Sequence, residues 1–298
     1  MRFILDKEKQ NIFWRLGENS LGVNDKDIEY GPHTLLKLAY LNYYIGIFTT
    51  IANSRKKNHG FNRILFIDAF GGSGLVRIRG TAYNALGSSL LAAANGKFDR
   101  IVSFEIDDVR ADLLSKRLDV LAPGKARVVK GDVNSEIARI VDEEVNSRTI
   151  VLLFVDPEGM EPQFSRLRSI IDKTKFVDIV MNYTWGVYRL QGRIEKTFSE
   201  ADIRKMKSFL PKYECGKTPD EVLLEMFENE FGKPYGDVVS INSKGDKTEY
   251  SMILRVRRTT GDSKFVDAMK KFGKIIESYD GDQCRKVADI IMGIQSAL

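Results

Sequence analysis

The sequence predicts an α/β protein built on a mostly parallel β-sheet with helices on both faces. Short apolar runs rich in β-branched residues recur between residues 64 and 181, and helix-period segments separate several of them. Runs without polar alternation are typical of strands buried on both faces. Alternation of such strands with helices is typical of parallel sheets with crossover helices. The predicted strands are 64–67, 101–104, 128–129, 150–155 and 177–181.

Composition sets limits on the class of protein. The chain has 298 residues, of which 43% are hydrophobic and 29% charged, which excludes a disordered or collagen-like protein. The formal net charge of +5 is compatible with nucleic acid binding without requiring it. Two distant cysteines, Cys215 and Cys284, fit neither a disulfide framework nor a zinc site and indicate a reducing compartment. His33 and His59 lack metal-ligand spacing, so no metal is expected.

The N-terminal segment, up to about residue 60, is predicted to be helical. Its longest apolar stretch, Leu35–Ile51, is interrupted by Lys37, Asn42 and Gly46 and falls short of a membrane span. The first residues lack the apolar core of a signal peptide, so we expect a cytoplasmic protein without membrane contact.

Two helices are predicted between the central strands. In Asp108–Leu121, leucines recur at helical spacing, and Pro123-Gly124 ends the pattern. Val133–Val145 carries a similar apolar stripe. The segment 75–86 has no such pattern and is predicted to be a long, mobile loop.

The last third predicts an antiparallel hairpin, with strands at 237–242 and 249–256 around a turn at 243–246, followed by helices at 264–278 and 283–296. Five parallel strands followed by such a hairpin indicate the Rossmann-like class I methyltransferase fold, with a seven-stranded sheet. We therefore expect an N-terminal helical segment (1–60), a cofactor-binding core (61–260, with a helical insertion at about 190–235) and C-terminal helices (261–298).

A glycine-rich turn follows the first of the parallel strands. It contains Asp68, Phe70, Gly71, Gly72 and Gly74, and glycines here let the backbone approach a ligand closely. A tight loop without a ligand explains the pattern about equally well. The nicotinamide-binding fingerprint is disfavoured, because Arg77 stands at its third glycine and no acidic residue follows about twenty positions later.

Acidic residues end the next two strands. Glu105, followed by Ile106, is placed to accept hydrogen bonds from ribose hydroxyls, and Asp132, followed by Val133, to lie near an adenine. A single acid at such a position is as compatible with a helix N-cap as with a ligand contact. Together with Asp68 they mark three successive strand ends, which converge on one crevice.

The fourth strand ends in Asp156-Pro157, which we interpret as catalytic residues that face a methyl acceptor, and we expect Asp156 to contact the cofactor as well. Enzymes that methylate amino groups of bases follow this pair with a stacking aromatic, whereas here Glu158 and Gly159 follow, which puts base methylation in doubt. Beyond the fifth strand, the polar and aromatic residues Asn182, Tyr183, Trp185 and Arg189 are candidates for substrate binding. A packed loop that covers the sheet edge is the alternative.

These stretches together resemble the three-Cys-motif partner (TcmP) family. The matching segments are Gly31–Lys37, Asp68–Gly74 followed by Gly87-Ser88-Ser89, Phe154–Gly159 and Asp178–Arg189. The resemblance covers about residues 30–275. It departs from the family at Ser89, where the family has proline, and at Arg258–Gly261, where the family often has His-Pro-x-Gly.

The resemblance implies S-adenosylmethionine as cofactor and a neighbouring partner protein with three cysteines. It implies no particular substrate. The basic balance and the arginine-rich hairpin, with Arg255, Arg257 and Arg258, favour a nucleic acid over a protein as acceptor. A non-catalytic binding protein that keeps the methyltransferase fold is the second interpretation.

Overall fold

The computed structural model describes residues 29–79, 84–242, 248–257 and 264–279. The strands in this part of the chain are β1 (Glu29–Tyr30), β2 (Arg63–Asp68), β3 (Leu75–Ile78), β4 (Asn84–Leu86), β5 (Arg100–Glu105), β6 (Ala126–Lys130), β7 (Thr149–Val155), β8 (Val177–Thr184), β9 (Tyr235–Asn242) and β10 (Thr248–Val256). The helices are α1 (Thr34–His59), α2 (Ser88–Asn95), α3 (Asp108–Leu121), α4 (Val133–Glu144), α5 (Phe164–Lys173), α6 (Trp185–Thr197), α7 (Glu200–Phe209), α8 (Pro219–Asn229) and α9 (Lys264–Glu277).

The central sheet has seven strands in the order β6-β5-β2-β7-β8-β10-β9. The first five pair in parallel, and β10 runs antiparallel to both β8 and β9. The second strand of the hairpin therefore inserts between the parallel strands and the first. This topology confirms the predicted Rossmann-like class I methyltransferase fold, in which one antiparallel strand makes the sheet mixed.

Helices cover both faces of the sheet, which explains the continuous apolar runs. All seven residues of β7 are buried, and alternate side chains serve different cores. Leu152 packs on one face with α1, α2, α3 and α9, whereas Leu153 packs on the other with α4 to α8. A strand with two buried faces has no position for a polar side chain until it ends, so polar groups concentrate at the strand ends.

Several predicted elements have the expected bounds. Helix α3 spans the predicted residues, α4 is one residue shorter, and the hairpin strands begin one or two residues earlier than predicted. The helical insertion begins earlier than expected, because β8 passes directly into α6 at Trp185. No loop therefore separates β8 from α6. The predicted helix at 283–296 and the turn at 243–246 lie outside the described residues.

The prediction of a long loop at 75–86 is wrong. Strands β3 and β4 pair antiparallel, with Leu75 opposite Leu86, and β1 pairs in parallel with β3 to form a small second sheet. The amide of Gly87 donates to the carbonyl of Gly74 (2.7 Å) and closes the base of this hairpin. Strands of four and three residues are too short to show a hydrophobic periodicity. Their stability comes instead from pairing with each other.

Helix α1 is, among the described helices, the one long and apolar enough to cross a bilayer by length and composition. Its apolar residues instead belong to the protein core, where Tyr40, Leu41 and Ile45 are fully buried. The hydroxyl of Tyr44 donates to Oδ2 of Asp178 (2.8 Å) in the sheet. These contacts are those of a core helix in an α/β fold.

Candidate active site

The predicted site residues meet at the carboxyl ends of β5, β2, β7 and β8, which we call the strand-end crevice. The strand order reverses at β2, since β5 and β6 lie on one side of it and β7 and β8 on the other. Open α/β sheets bind ligands in the crevice at such a switch point, where neighbouring connections leave the sheet in opposite directions.

The glycine-rich turn after β2 is fixed by backbone hydrogen bonds to both neighbouring strands. The amide of Gly71 donates to the carbonyl of Phe104 (2.8 Å), and that of Ala69 to the carbonyl of Phe154 (2.9 Å). From α3, the buried Arg117 donates through Nη1 to the carbonyl of Ser73 (2.5 Å). The turn is therefore held rigidly between the ends of β5 and β7.

The glycines of this turn serve different purposes. A Cβ atom added at Gly71 would lie 2.7 Å from Cδ2 of Leu114, and one at Gly74 would lie 2.8 Å from Cδ1 of the same side chain. Gly72 has a positive φ of 59°, and no atom lies within 4 Å of the position that its Cβ would take. Gly71 and Gly74 therefore allow α3 to approach the turn closely. Gly72 leaves open space beside the turn, which we call the cradle.

Asp68, predicted to contact the cofactor, is instead fully buried beneath the turn. Its Oδ2 accepts from the hydroxyls of Ser88 and Ser89 (both 2.5 Å) at the start of α2, and its Oδ1 accepts from the amide of Phe70 (3.3 Å). Burial raises the pKa of Asp68 to about 6, although these hydrogen bonds oppose the rise. The structure thus places Asp68 as a support for the turn, with Phe70 partly buried beside it.

Glu105 ends β5 at the opening of the crevice. Its Oε1 accepts from the amide of Asp107 (2.9 Å), and no other hydrogen bond reaches this carboxylate from the described residues. The next residue, Ile106, is a large aliphatic side chain with 73% of its surface exposed. An available carboxylate oxygen therefore stands beside an apolar surface.

Asp132 is the N-cap of α4. Helix capping was the alternative that the sequence left open beside a contact with the cofactor. Its Oδ1 accepts from the backbone amide of Asn134 (2.9 Å) and from Nδ2 of the same residue (3.0 Å). The side chain of Val133 is buried in the core. Any contact of Val133 with a ligand would therefore involve its backbone.

Asp156 follows β7 and forms a cluster with two residues from other elements. Its Oδ2 lies 2.5 Å from Nζ of Lys37 in α1, and its Oδ1 accepts from Nδ2 of Asn182 in β8 (2.7 Å). The amide oxygen of Asn182 is buried and has no hydrogen-bond partner among the described residues. Pro157 is buried behind Asp156. We call Lys37, Asp156 and Asn182 the acceptor-edge cluster.

Tyr250 of β10 attaches the start of α1 to this cluster. Its hydroxyl donates to the carbonyl of His33 (2.6 Å), and Nζ of Lys37 lies 5.9 Å from the centre of its ring. Sequence reasoning did not assign Lys37 or Tyr250 to the site. The signal available for Lys37 was its place in the Gly31–Lys37 stretch, which resembles a family motif.

Tyr30 of β1 is a further residue that the sequence did not indicate. Burial raises its pKa, and the charges of Glu158, Asp156 and Glu105 add to the rise while Arg110 opposes it. The phenol therefore lies within electrostatic reach of carboxylates from both sides of the crevice. The small sheet, which the sequence did not predict, brings it there.

The predicted substrate residues separate in space. Successive side chains of a strand point to opposite faces, so Asn182 lies on the α1 face, whereas Tyr183 is fully buried among the helices of the other face. The ring of Tyr183 packs against Tyr188 and Phe209, which corrects its assignment to substrate binding.

Trp185 begins α6, and its side chain lies outside what the structure describes. Arg189 is exposed on α6 and has no carboxylate partner among the described residues.

The part of the chain that the structure describes contains no group of three or more His, Cys, Asp or Glu side chains that could hold a metal ion. Two pairs of opposite charge lie in the crevice, and the first joins Lys37 to Asp156. Arg110 of α3 faces Glu158 at 4.0 Å, which brings opposite charges together near the mouth of the crevice.

No protein-family model and no curated protein matches the sequence. Among solved structures, a putative O-methyltransferase from Klebsiella pneumoniae is 13% identical, covering 85% of this chain and 91% of that chain, with a TM-score of 0.46. An rRNA methylase from Streptococcus thermophilus is 10% identical, covering 66% and 88%, with a TM-score of 0.39. TYW2 from M. jannaschii in complex with AdoMet is 12% identical, covering 65% and 68%, with a TM-score of 0.37. Similarity at this level concerns the fold and carries no information about activity.

Proposed function

We propose that this protein is an S-adenosylmethionine-dependent methyltransferase. The observation that carries the proposal is the pairing of an open cradle at Gly72 with the available carboxylate oxygen of Glu105 at the switch point of the sheet. The residues fit this cofactor because a carboxylate accepts from ribose hydroxyls and exposed backbone admits a charged ligand end.

In this proposal the glycine turn holds the methionine end of the cofactor and Glu105 holds the ribose. The exposed side chain of Ile106 packs against the adenine, near the start of α4 where Asp132 and Val133 lie. When bound, the cofactor supplies an activated methyl group to a nucleophile. Positioning of that nucleophile is the main contribution that the protein makes to such a transfer.

The acceptor-edge cluster is the proposed site of this positioning. The buried amide oxygen of Asn182 receives no hydrogen bond from the part of the chain that the structure describes, and a hydroxyl or amino group of an acceptor would satisfy it. Lys37 neutralises Asp156, so the cluster presents hydrogen-bonding groups with little net charge. Asp156 and Pro157 then orient the acceptor.

We propose a nucleic acid as the acceptor, and a protein as a less favoured one. The net charge of +5 and the exposed Arg189 beyond β8, which pairs with no carboxylate among the described residues, support this choice. The arginines of the hairpin do not support it. Arg255 and Arg257 lie near the amino ends of the parallel strands, away from the strand-end crevice, and burial lowers the pKa of both. Membership of the three-Cys-motif partner family, a partner protein with three cysteines and a cytoplasmic location are proposals that rest on sequence.

A non-catalytic binding protein is the second candidate. The observation that favours it is that both carboxylate oxygens of Asp156 already have partners, Oδ2 in Lys37 and Oδ1 in Asn182. This carboxylate therefore has no evident role in accepting a proton. Such a protein would use the crevice to dock nucleic acid or a partner.

Calorimetric titration of the purified protein with S-adenosylmethionine and S-adenosylhomocysteine, with NADH as control, tests the proposal. Micromolar binding of the first two ligands without binding of NADH is the expected result. Transfer of radiolabelled methyl groups to RNA, DNA or protein then identifies the acceptor. Absence of binding would reject the cofactor, and binding without transfer to any of these would favour the non-catalytic protein.

A further inference from the structure

The carboxyl end of β8 carries two buried polar atoms on one face that have no hydrogen-bond partner among the described residues. One is Oδ1 of Asn182, a residue that is 6% exposed, and the other is Oγ1 of Thr184. The two residues are two positions apart in the strand, so their side chains lie on the same face of the sheet. Buried polar atoms of folded proteins almost always have a partner, so this pair indicates a place for a polar group of a ligand.

The surroundings of the two atoms fix what each can do. Nδ2 of Asn182 donates to Oδ1 of Asp156 (2.7 Å), so the amide oxygen of Asn182 is turned away from that carboxylate and can only accept. Thr184 is the N-cap of α6, but its side chain makes no capping hydrogen bond. Its hydroxyl therefore has a proton to donate. The site offers one acceptor and one hydroxyl donor side by side.

A hydroxyl group of a methyl acceptor satisfies both atoms, whereas an amino group does not. A hydroxyl donates its proton to Asn182, accepts from Thr184 with one lone pair and keeps the other lone pair to attack the methyl group. An amino nitrogen has a single lone pair, which the attack uses. The Thr184 hydroxyl would then remain a buried donor without an acceptor, which is costly. The site therefore favours an oxygen nucleophile.

We infer that the methyl acceptor is the 2′-hydroxyl of a ribose in RNA. The inference rests on the function proposed above, which supplies the methyl donor and a nucleic acid as acceptor. Within a nucleic acid strand, the 2′-hydroxyl is the hydroxyl group that RNA presents and DNA lacks. In the transfer, the ribose oxygen forms a bond to the methyl carbon while the carbon–sulfur bond breaks. The electron pair of that bond stays on sulfur, and the hydroxyl proton leaves to water.

Two neighbouring features fit a ribose better than a base. The positions after Pro157 carry Glu158 and Gly159, so no aromatic ring there stacks on a base. Arg189, in the second turn of α6, is exposed and pairs with no carboxylate in the described part of the chain. A guanidinium group binds phosphate oxygens, and every internal 2′-hydroxyl of RNA adjoins a phosphodiester.

Analysis of the methylated product tests this inference. The full chain is incubated with methyl-labelled S-adenosylmethionine and with total RNA, DNA or protein from cells that lack it, and the labelled RNA is digested to nucleosides. We expect the label in 2′-O-methylnucleosides. Calorimetric titration of the same preparation with S-adenosylhomocysteine separates two kinds of failure. Absence of binding would overturn the proposed function together with this inference. Binding of the cofactor product, with label in methylated bases, DNA or protein or in no acceptor, would overturn the 2′-hydroxyl alone.

Variants of Thr184 locate the contact. Thr184→Val keeps the shape of the side chain without its hydroxyl and should slow methyl transfer about tenfold, the scale of one hydrogen bond in a buried site. Thr184→Ser should recover most of this loss. Thr197→Val is the matched control and should transfer at the wild-type rate, because it removes a hydroxyl of α6 that bonds to the carbonyl of Arg193 (2.9 Å). Circular dichroism verifies folding, and all three variants should bind S-adenosylhomocysteine as the wild type does.

A binding measurement without transfer completes the test. In the presence of S-adenosylhomocysteine, fluorescence anisotropy compares RNA of the methylated sequence with the same RNA carrying a 2′-deoxynucleotide at the target. The deoxy substitution should weaken binding to the wild type about tenfold. It should weaken binding to Thr184→Val by a clearly smaller factor, since one partner of the hydroxyl is already gone. Equal losses in the two proteins would reject the contact with Thr184.

Discussion

Nζ of Lys37 lies 2.5 Å from Oδ2 of Asp156, although 119 positions separate the two residues in the chain. The contact joins the first turns of α1 to the carboxyl end of β7. Both side chains are largely shielded from solvent, with 12% and 19% of their surfaces exposed. The ion pair is therefore a fixed part of the strand-end crevice, and it makes α1 a component of the site.

Replacement of Lys37 by methionine is expected to destabilise the protein by about 2 kcal/mol. The substitution keeps the apolar stem but leaves Asp156 partly buried without its cation, and an unpaired buried charge is costly. Urea denaturation followed by circular dichroism measures the change. The double variant Lys37→Met, Asp156→Asn should recover part of the loss, because no carboxylate then remains unpaired.

Lys56→Met is the matched control for this experiment. Lys56 lies in the same helix and pairs with Asp99, but both side chains are about one-third exposed. Exposed pairs contribute roughly 0–1 kcal/mol. Equal losses for the two lysine variants would contradict the special position of Lys37.

Replacement of Glu105 by alanine is expected to weaken S-adenosylmethionine binding by about 1–2 kcal/mol, or roughly 5- to 30-fold, which corresponds to a charge-assisted hydrogen bond. Glu105→Gln keeps an acceptor for the amide of Asp107 and should give a smaller loss. Calorimetric titration measures both affinities. Glu225→Ala, an exposed residue of α8 that pairs with Lys217, is the control. If cofactor affinity is the same in the Glu105 variants as in the control, the ribose assignment is wrong.

Two glycines with similar backbone geometry separate stability from ligand binding. Gly72 and Gly124 have φ values of 59° and 71°, and neither would bring a Cβ within 4 Å of another atom. Alanine at either position should cost about 1–2 kcal/mol of stability through backbone strain. Only Gly72→Ala should also weaken cofactor binding, because its Cβ enters the cradle. An equal effect of both variants on affinity would show that the cradle is not used.

The buried carboxyl of Asp68 makes stability depend on pH. Burial raises its pKa to about 6, from 3.8 in an unfolded chain. The folded protein therefore binds more protons than the unfolded chain between these values, and stability falls as the pH rises towards and past 6. This contribution should disappear in Asp68→Asn.

Denaturation of the wild type and Asp68→Asn at pH 5 and pH 7.5 tests this expectation. Between these two pH values, the difference in stability between the proteins should shift by about 1–2 kcal/mol in favour of asparagine. Comparing the shift, rather than the absolute stabilities, removes the constant loss of hydrogen bonds to Ser88 and Ser89. A parallel pH dependence of the two proteins would show that Asp68 titrates normally.

The sequence predicted the parallel strands closely because each is buried on both faces. A strand such as β7 has no solvent-exposed position, so its apolar run is unbroken and its ends are marked by polar residues. The same logic placed Gly72, Glu105 and Asp156 at strand ends before any contact was known. Helix α3 was equally clear, since its leucine spacing and the following Pro-Gly define both of its ends.

Strands β3 and β4 escaped prediction because they have four and three residues and depend on pairing with each other. The opposite orientations of Asn182 and Tyr183 followed from the continuation of β8 through both residues, which the sequence did not predict.

Local sequence thus determined the strands, the main helices and the polar residues at the strand ends, because burial periodicity and turn chemistry act over a few neighbouring positions. The tertiary structure alone decided that Lys37 meets Asp156, that Asp68 supports the turn from below, and that Arg55 and Arg257 converge on Phe176. The physical reason is that these contacts join segments far apart in the chain. The packing of α1 across the sheet brings Lys37 and Arg55 into place, whereas the start of α2 brings Ser88 to Asp68.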